Sequence, residues 1–136
     1  MNYDVIVVGS GSGGGAVAAR LSEDPDRSVL LLEAGPDYPD IDTLPFDLKF
    51  NHGTGTDLAV GGDHDWQFTG TATAEAPPMQ VPRGRVTGGT SAINGSVFLR
   101  GLPEDFDDWA SMGNDEWAYE KVFPYFNKLE TDTDYT

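Results

Sequence analysis

An apolar run of strand length that stops at a glycine turn constrains this chain more than any other feature. Val5, Ile6, Val7 and Val8 lead straight into Gly9-Ser-Gly-Ser-Gly-Gly-Gly15. Four aliphatics without polar alternation suit a strand buried on both faces of a parallel sheet. Gly9, Gly11 and Gly14 have the spacing G-x-G-x-x-G. The first glycine permits a tight turn, the second lets backbone approach a pyrophosphate, and the third lets the next helix pack close to the strand. That helix is predicted from near Gly13 through Leu21, with its free N–H groups and positive dipole end toward the phosphates. A second apolar run, Val29 to Leu32, ends at Glu33, which lies 24 residues after Gly9. About 20 residues is the usual interval to the acidic side chain that accepts the ribose hydroxyls. Strand, glycine turn, small-residue helix, strand and terminal carboxylate together predict a β-α-β unit over residues 1–35 that binds an adenine dinucleotide.

Charge narrows the partners. With 23 acidic and 8 basic residues the formal charge is −15. Phosphate contacts need clustered Lys and Arg, so nucleic acid is disfavoured, as is an anionic membrane surface. Strong acidity suits either life at high salt, where self-repulsion is screened, or one acidic piece of a larger, less acidic protein, and composition does not separate the two. With no cysteine, disulfides and thiolate chemistry are excluded. No apolar run approaches the ~20 residues of a membrane span. Asp4 near the start, with no basic segment before the apolar run, is unlike a secretion signal, and a cytoplasmic location is the expectation.

From Pro36 the periodicity fails. Pro39, Pro45, Gly53, Gly55, Gly61 and Gly62 interrupt the chain, and an irregular excursion is predicted over 36–81. Phe46, Leu48, Phe50, Trp66 and Phe68 make it too apolar for simple disorder. The two histidines, His52 and His64, fall within it. Asp63 and Asp65 flank His64, but neighbours in sequence rarely converge on one ion and no His-x-x-x-His accompanies them. A solvated loop histidine is predicted, with no metal site.

Residues 82–101 hold the second informative stretch, Pro82-Arg-Gly-Arg-Val-Thr-Gly-Gly-Thr-Ser-Ala-Ile-Asn-Gly95. Its small residues let a flat ligand approach the backbone, and successive N–H groups in such turns form anion-binding nests. Read by itself, it is an ordinary glycine-rich turn before a short strand, Val97 to Leu99. Beyond Gly101 a helical segment is predicted over 102–136. One helix opens at Pro103 with acidic residues in its first turn, and Phe106, Trp109 and Ala110 lie on one face. A second runs from about Tyr119 to Leu129, lined by Val122, Phe123, Phe126 and Leu129, with Pro124 early in it. These apolar helices are expected to need partner surface.

With both glycine stretches placed, the chain resembles the N-terminal portion of the glucose–methanol–choline (GMC) flavoprotein oxidoreductases. The resemblance rests on Asp4 to Gly15, Leu31-Leu-Glu-Ala-Gly-Pro36 and Pro82 to Gly95, the last being the discriminating block. Arg100-Gly101, Asp105 to Trp109 and Trp117 to Leu129 also fit. Thr87 departs from the pattern, standing where the family usually has Leu, Ile or Val.

The resemblance implies an α/β fold: a Rossmann-like FAD-binding β-α-β unit with an irregular excursion and C-terminal helices, incomplete without the rest of the enzyme. The implied cofactor-binding residues, beyond Gly9, Gly11, Gly14 and Gly89, begin with Ser12 and Gly13 at the pyrophosphate. Glu33 and Ala34 fall at the adenosine ribose. Val86, Thr90, Asn94, Gly95, Ser96 and Val97 run along the pyrophosphate, ribityl chain and flavin ring. Trp66 resembles a family tryptophan near the cofactor. Some members attach FAD through a histidine just before the signature asparagine. That position is Ile93 here, which implies noncovalent FAD. The family's catalytic histidine lies near the C-terminus of a much longer chain, so no catalytic residue is expected here. The implied chemistry of the whole enzyme is oxidation of a small-molecule alcohol, and the implied partner is the remaining C-terminal part. A non-catalytic nucleotide-binding fragment and an NAD(P)-dependent or other FAD-dependent Rossmann enzyme stay open as alternatives.

Overall fold

The computed structural model of the protein describes residues 2–49 and 60–130. His52, Phe50, Gly53 and Gly55 lie outside the described residues. The chain falls into two compact units, the first ending at Val97 and the second starting at Phe98.

The first unit opens with strand β1 (Val5–Val8), helix α1 (Ser12–Leu21) and strand β2 (Val29–Leu32). β1 and β2 pair in parallel, Val5 opposite Val29 and Val8 opposite Leu32. Asp4 clamps the start of the pair: its Oδ2 accepts from the Ser28 N–H at 2.8 Å and the Ser28 hydroxyl at 2.6 Å. At the other end the Gly9 N–H donates to the Leu32 carbonyl at 2.7 Å. Gly9 has φ +90°, a left-handed conformation that a side chain would strain. A Cβ on Gly14 would stand 1.9 Å from the Gly9 carbonyl oxygen. Helix and strand therefore approach as closely as the third glycine of the motif predicts.

The strand pair is not covered on both faces. Ile6 is 58% and Val8 81% exposed, whereas Val5 and Val7 are half-buried. α1 packs on the two-stranded sheet, and the aliphatic run keeps a face open among the described residues.

The excursion is not wholly irregular. Asp40 accepts from the Asp42 N–H at 2.9 Å and starts a 3-10 turn, Ile41–Thr43. One helical turn follows, α2 (Phe46–Lys49), then an antiparallel pair, β3 (Phe68–Gly70) with β4 (Met79–Val81). Three-residue strands are too short to display a period in sequence. The Val97 to Leu99 stretch forms no strand, and all three side chains are exposed. Nothing pairs with it among the described residues, so its apolar content had no ladder to join.

In the second unit α3 (Pro103–Ser111) and α4 (Tyr119–Leu129) flank a 3-10 turn at Asp115–Trp117. Pro103 occupies the first helical position, and Asp105 reaches back to accept from the Leu102 N–H at 3.1 Å. That satisfies a donor the helix start leaves over. Phe106 centres the packing, its ring 5.6 Å from Trp109, 6.1 Å from Tyr119 and 5.6 Å from Phe126. Pro124 sits inside α4 rather than in its first turn. It leaves the Glu120 carbonyl without its helical N–H donor, and the aromatic contacts of Phe123 and Phe126 carry the helix through.

Candidate cofactor site

The two glycine stretches meet directly. Gly11 and Gly88 form a parallel bridge, and Ser10 is the joint. Ser10 is buried, and its hydroxyl donates to Glu33 Oε2 at 2.7 Å while accepting from the Gly88 N–H at 3.3 Å. Residues 78 apart in sequence thus share one hydroxyl, and the end of β2 joins them through the carboxylate.

Between these parts lies a cleft of about 540 Å³. Val8, Gly9, Gly11, Leu32, Glu33 and Ala34 line it together with Trp66, Phe68, Arg83, Gly84, Gly89 and Thr90. Trp66 and Phe68 stack nearly parallel, with centroids 5.7 Å apart. The Arg85 guanidinium lies 5.9 Å from the Trp66 ring, within cation–π range. Arg83 is the one cation lining the cleft among the described residues. At its glycine edge no side chain caps α1, and the N–H groups of Ser12, Gly13 and Gly14 find no acceptor among the described residues. Three unsatisfied donors at the positive end of a helix suit a pyrophosphate. A Cβ on Gly11 would come no nearer than 3.8 Å to its protein neighbours. The protein's own packing does not demand glycine there.

Glu33 is engaged more heavily than a strand-end carboxylate in solvent. Oε2 accepts from the Ser10 N–H at 2.8 Å and the Ser10 hydroxyl, and Oε1 accepts from the Ala34 and Gly35 N–H groups at 3.0 Å each. Burial pushes its carboxyl up, but the donors from Ser10, Gly35 and Ala34 outweigh burial and hold it below the ordinary glutamate value. It is ionised at neutral pH.

Of the residues singled out from sequence, Gly9, Gly11, Glu33, Ala34, Trp66, Gly89 and Thr90 border this cleft. Ser12, Gly13 and Gly14 form the first turn of α1 beside it. Val86 is 1% exposed. Its side chain is core, and its carbonyl accepts from the Gly89 N–H at 2.7 Å, closing the second glycine turn. Asn94, Gly95, Ser96 and Val97 are exposed and lie outside the cleft lining. There Asn94 Oδ1 accepts from the Ser96 N–H at 2.9 Å and Ser96 has φ +56°. Ile93 is buried among core side chains. Thr87 is exposed and donates its N–H to the Pro36 carbonyl at 3.0 Å, so a hydroxyl there costs little.

His64 corrects the expectation of a solvated loop histidine. It is 6% exposed. Nδ1 lies 2.8 Å from Asp47 Oδ2, and Nε2 lies 2.9 Å from the Tyr38 hydroxyl. Both ring nitrogens are taken up in tying the excursion together. No group of three or more metal-ligating side chains occurs among the described residues. Sequence reasoning missed Ser10, Phe68, Arg83 and Asp65. Ser10 and Arg83 sit inside the two motifs, where a non-glycine position could have been questioned. Asp65 gave no signal, because its partners are backbone groups.

A cleft shared by a β-α-β glycine turn and a second glycine block defines a dinucleotide-binding α/β protein of the Rossmann type. Within that class the chain belongs to the GMC oxidoreductase family, whose profile matches residues 3–134. It is 43% identical to glucose dehydrogenase [FAD, quinone] of Drosophila melanogaster over 97% of this chain and 21% of the relative. It is 40% identical to the oxygen-dependent choline dehydrogenase of Brucella ovis over 96% of this chain and 23% of that protein. The crystal structure of pyridoxine 4-oxidase from Mesorbium loti superposes with a TM-score of 0.73 at 35% identity, covering 92% of this chain and 24% of that one. The chain therefore spans about a fifth of the length of the curated relatives it matches. The cofactor is FAD, and the glycine edge, unsatisfied helix donors and aromatic wall fit it. No helix among the described residues is long and apolar enough to cross a membrane.

Proposed function

We propose that this chain is the FAD-binding N-terminal portion of an enzyme that oxidises an alcohol, with its catalytic histidine outside these 136 residues. The observation that carries this is the single cleft formed where the two glycine stretches meet. When bound, FAD supplies the acceptor for a hydride from the carbon bearing the hydroxyl.

The chain's own residues bind and orient. The first turn of α1 holds the pyrophosphate through the N–H groups of Ser12, Gly13 and Gly14. Glu33 fixes the glycine turn through Ser10 and would accept from the adenosine ribose hydroxyls. Ala34, Gly89 and Thr90 give the close backbone surface, and Trp66 supplies an apolar wall. Val86 acts through packing beneath the second turn. Asn94, Gly95, Ser96 and Val97 serve the flavin-ring end beyond the cleft. Ile93 offers no nucleophile, and FAD is held without a covalent bond. The hydroxyl proton goes to a general base in the remaining part of the enzyme. His64, buried and occupied at both nitrogens, is not that base.

The names of the relatives support an alcohol as donor, since glucose and choline both carry hydroxyl groups. Two measurements test the proposal. Acid precipitation of the flavin-loaded protein should leave FAD in the supernatant, and yellow colour in the pellet would refute noncovalent attachment. Anaerobic addition of a primary alcohol should bleach the flavin only when the C-terminal part is present. Bleaching by this chain alone would place the base within it. FAD retained without bleaching in the complete protein would favour a non-catalytic nucleotide carrier.

A further inference from the structure

We infer that Asp65 is a positioning residue that sets the aromatic and cationic wall of the FAD cleft. Its carboxylate is 5% exposed. Oδ1 accepts from the Gln67 N–H at 3.1 Å and the Arg83 N–H at 3.0 Å, and Oδ2 accepts from the Gly61 N–H at 2.9 Å. One oxygen thus joins two antiparallel segments. Those segments are also tied by Trp66 N–H to the Arg83 carbonyl at 2.9 Å, by Arg85 N–H to the His64 carbonyl at 2.7 Å, and by the Asp65–Gly84 bridge.

The consequence falls on the cleft. Residues on either side of these bonds, Trp66, Phe68, Arg83 and Gly84, line it. Gln67 sits between the two aromatics with φ +55°, a conformation a glutamine adopts at a cost. Its N–H bond to Asp65 holds that conformation, which turns Trp66 and Phe68 into their stack. Gly84 passes the constraint on, donating its N–H to the Thr90 hydroxyl at 3.2 Å. Burial pushes the Asp65 carboxyl up, but the backbone donors of Gly61, Arg83, Gln67 and Trp66 outweigh it. A buried anion stabilised by backbone N–H groups is a rigid anchor, and removing it leaves those donors unpaired.

This rests on the assignment of the cleft to FAD. Asp65→Asn keeps one carbonyl oxygen for Gln67 and Arg83 but sets an NH2 group against the Gly61 N–H, and Asp65→Ala removes every acceptor. In the flavin-loaded protein, FAD affinity should fall about tenfold in Asp65→Asn and further in Asp65→Ala. The visible circular dichroism of the residual bound flavin should change shape in both. Wild-type protein without flavin would fail the cofactor assignment itself. Weaker retention with an unaltered flavin dichroism would show loss of stability alone and overturn the positioning role. Full retention in both variants would overturn it too.

Discussion

Glu33 places two demands on one carboxylate. It holds the Ser10 turn from within, and under the proposed function it also meets the ribose. Glu33→Ala should therefore weaken FAD binding by about tenfold or more, from the loss of a part-buried acceptor worth ~1–3 kcal/mol, read by equilibrium titration with FAD. Its pKa gives a second test. Folding lowers it below the ordinary glutamate value of 4.5. The group then contributes stability above about that pH, and this is lost as pH falls through the folded value. Glu33→Gln should flatten the acid limb of the stability–pH curve and leave the slope near neutrality unchanged, as measured by urea unfolding. Gly14 is stricter. Its Cβ would meet the Gly9 carbonyl at 1.9 Å, so Gly14→Ala must part α1 from β1. A loss of at least about 1–3 kcal/mol is expected, seen as a lower unfolding midpoint.

Among the elements, the excursion shows how a segment without period gains a fixed course. Asp47 on α2, Tyr38 after β2 and His64 near β3 converge through one imidazole. His64→Ala leaves a carboxylate and a hydroxyl without their buried partner, at about 1–3 kcal/mol. Amide hydrogen exchange should quicken at Thr43, Leu44, Leu48 and Lys49, and unchanged protection would show that other contacts hold the excursion. The helices were easier to read. Pro103, the acidic first turn and the spacing of Phe106, Trp109 and Ala110 all reported α3. The strand expected at Val97 to Leu99 did not form, because alternation and apolarity say nothing of whether a partner strand is at hand.

For the whole chain, charge is the dominant global property. At −15, self-repulsion opposes compaction. Raising KCl from about 0.01 M to about 1 M shortens the screening length from about 30 Å to about 3 Å. The melting temperature should rise across that range, more than with sucrose at equal osmolality. A flat response would show that repulsion among the acidic groups contributes little to stability. The exposed outer face of β1, with Ile6 and Val8 in the open, belongs to the same scale. The chain spans about a fifth of the length of its relatives, and that strand face is uncovered among the described residues.

Local chemistry determined much of this protein in advance. The Gly9 turn, the helix after it, the parallel partner strand and the acid at its end follow from glycine geometry, apolar runs and spacing, all of which act between near neighbours. The resemblance in Pro82 to Gly95 then pointed to FAD. What tertiary structure alone decided are the long-range bonds: Ser10 to Gly88, His64 to Asp47, and Asp65 to Arg83. Such bonds use backbone N–H groups that every residue but proline carries, or side chains whose partners lie far along the chain. No local pattern encodes them, because their energy appears only once folding has brought the distant segments together.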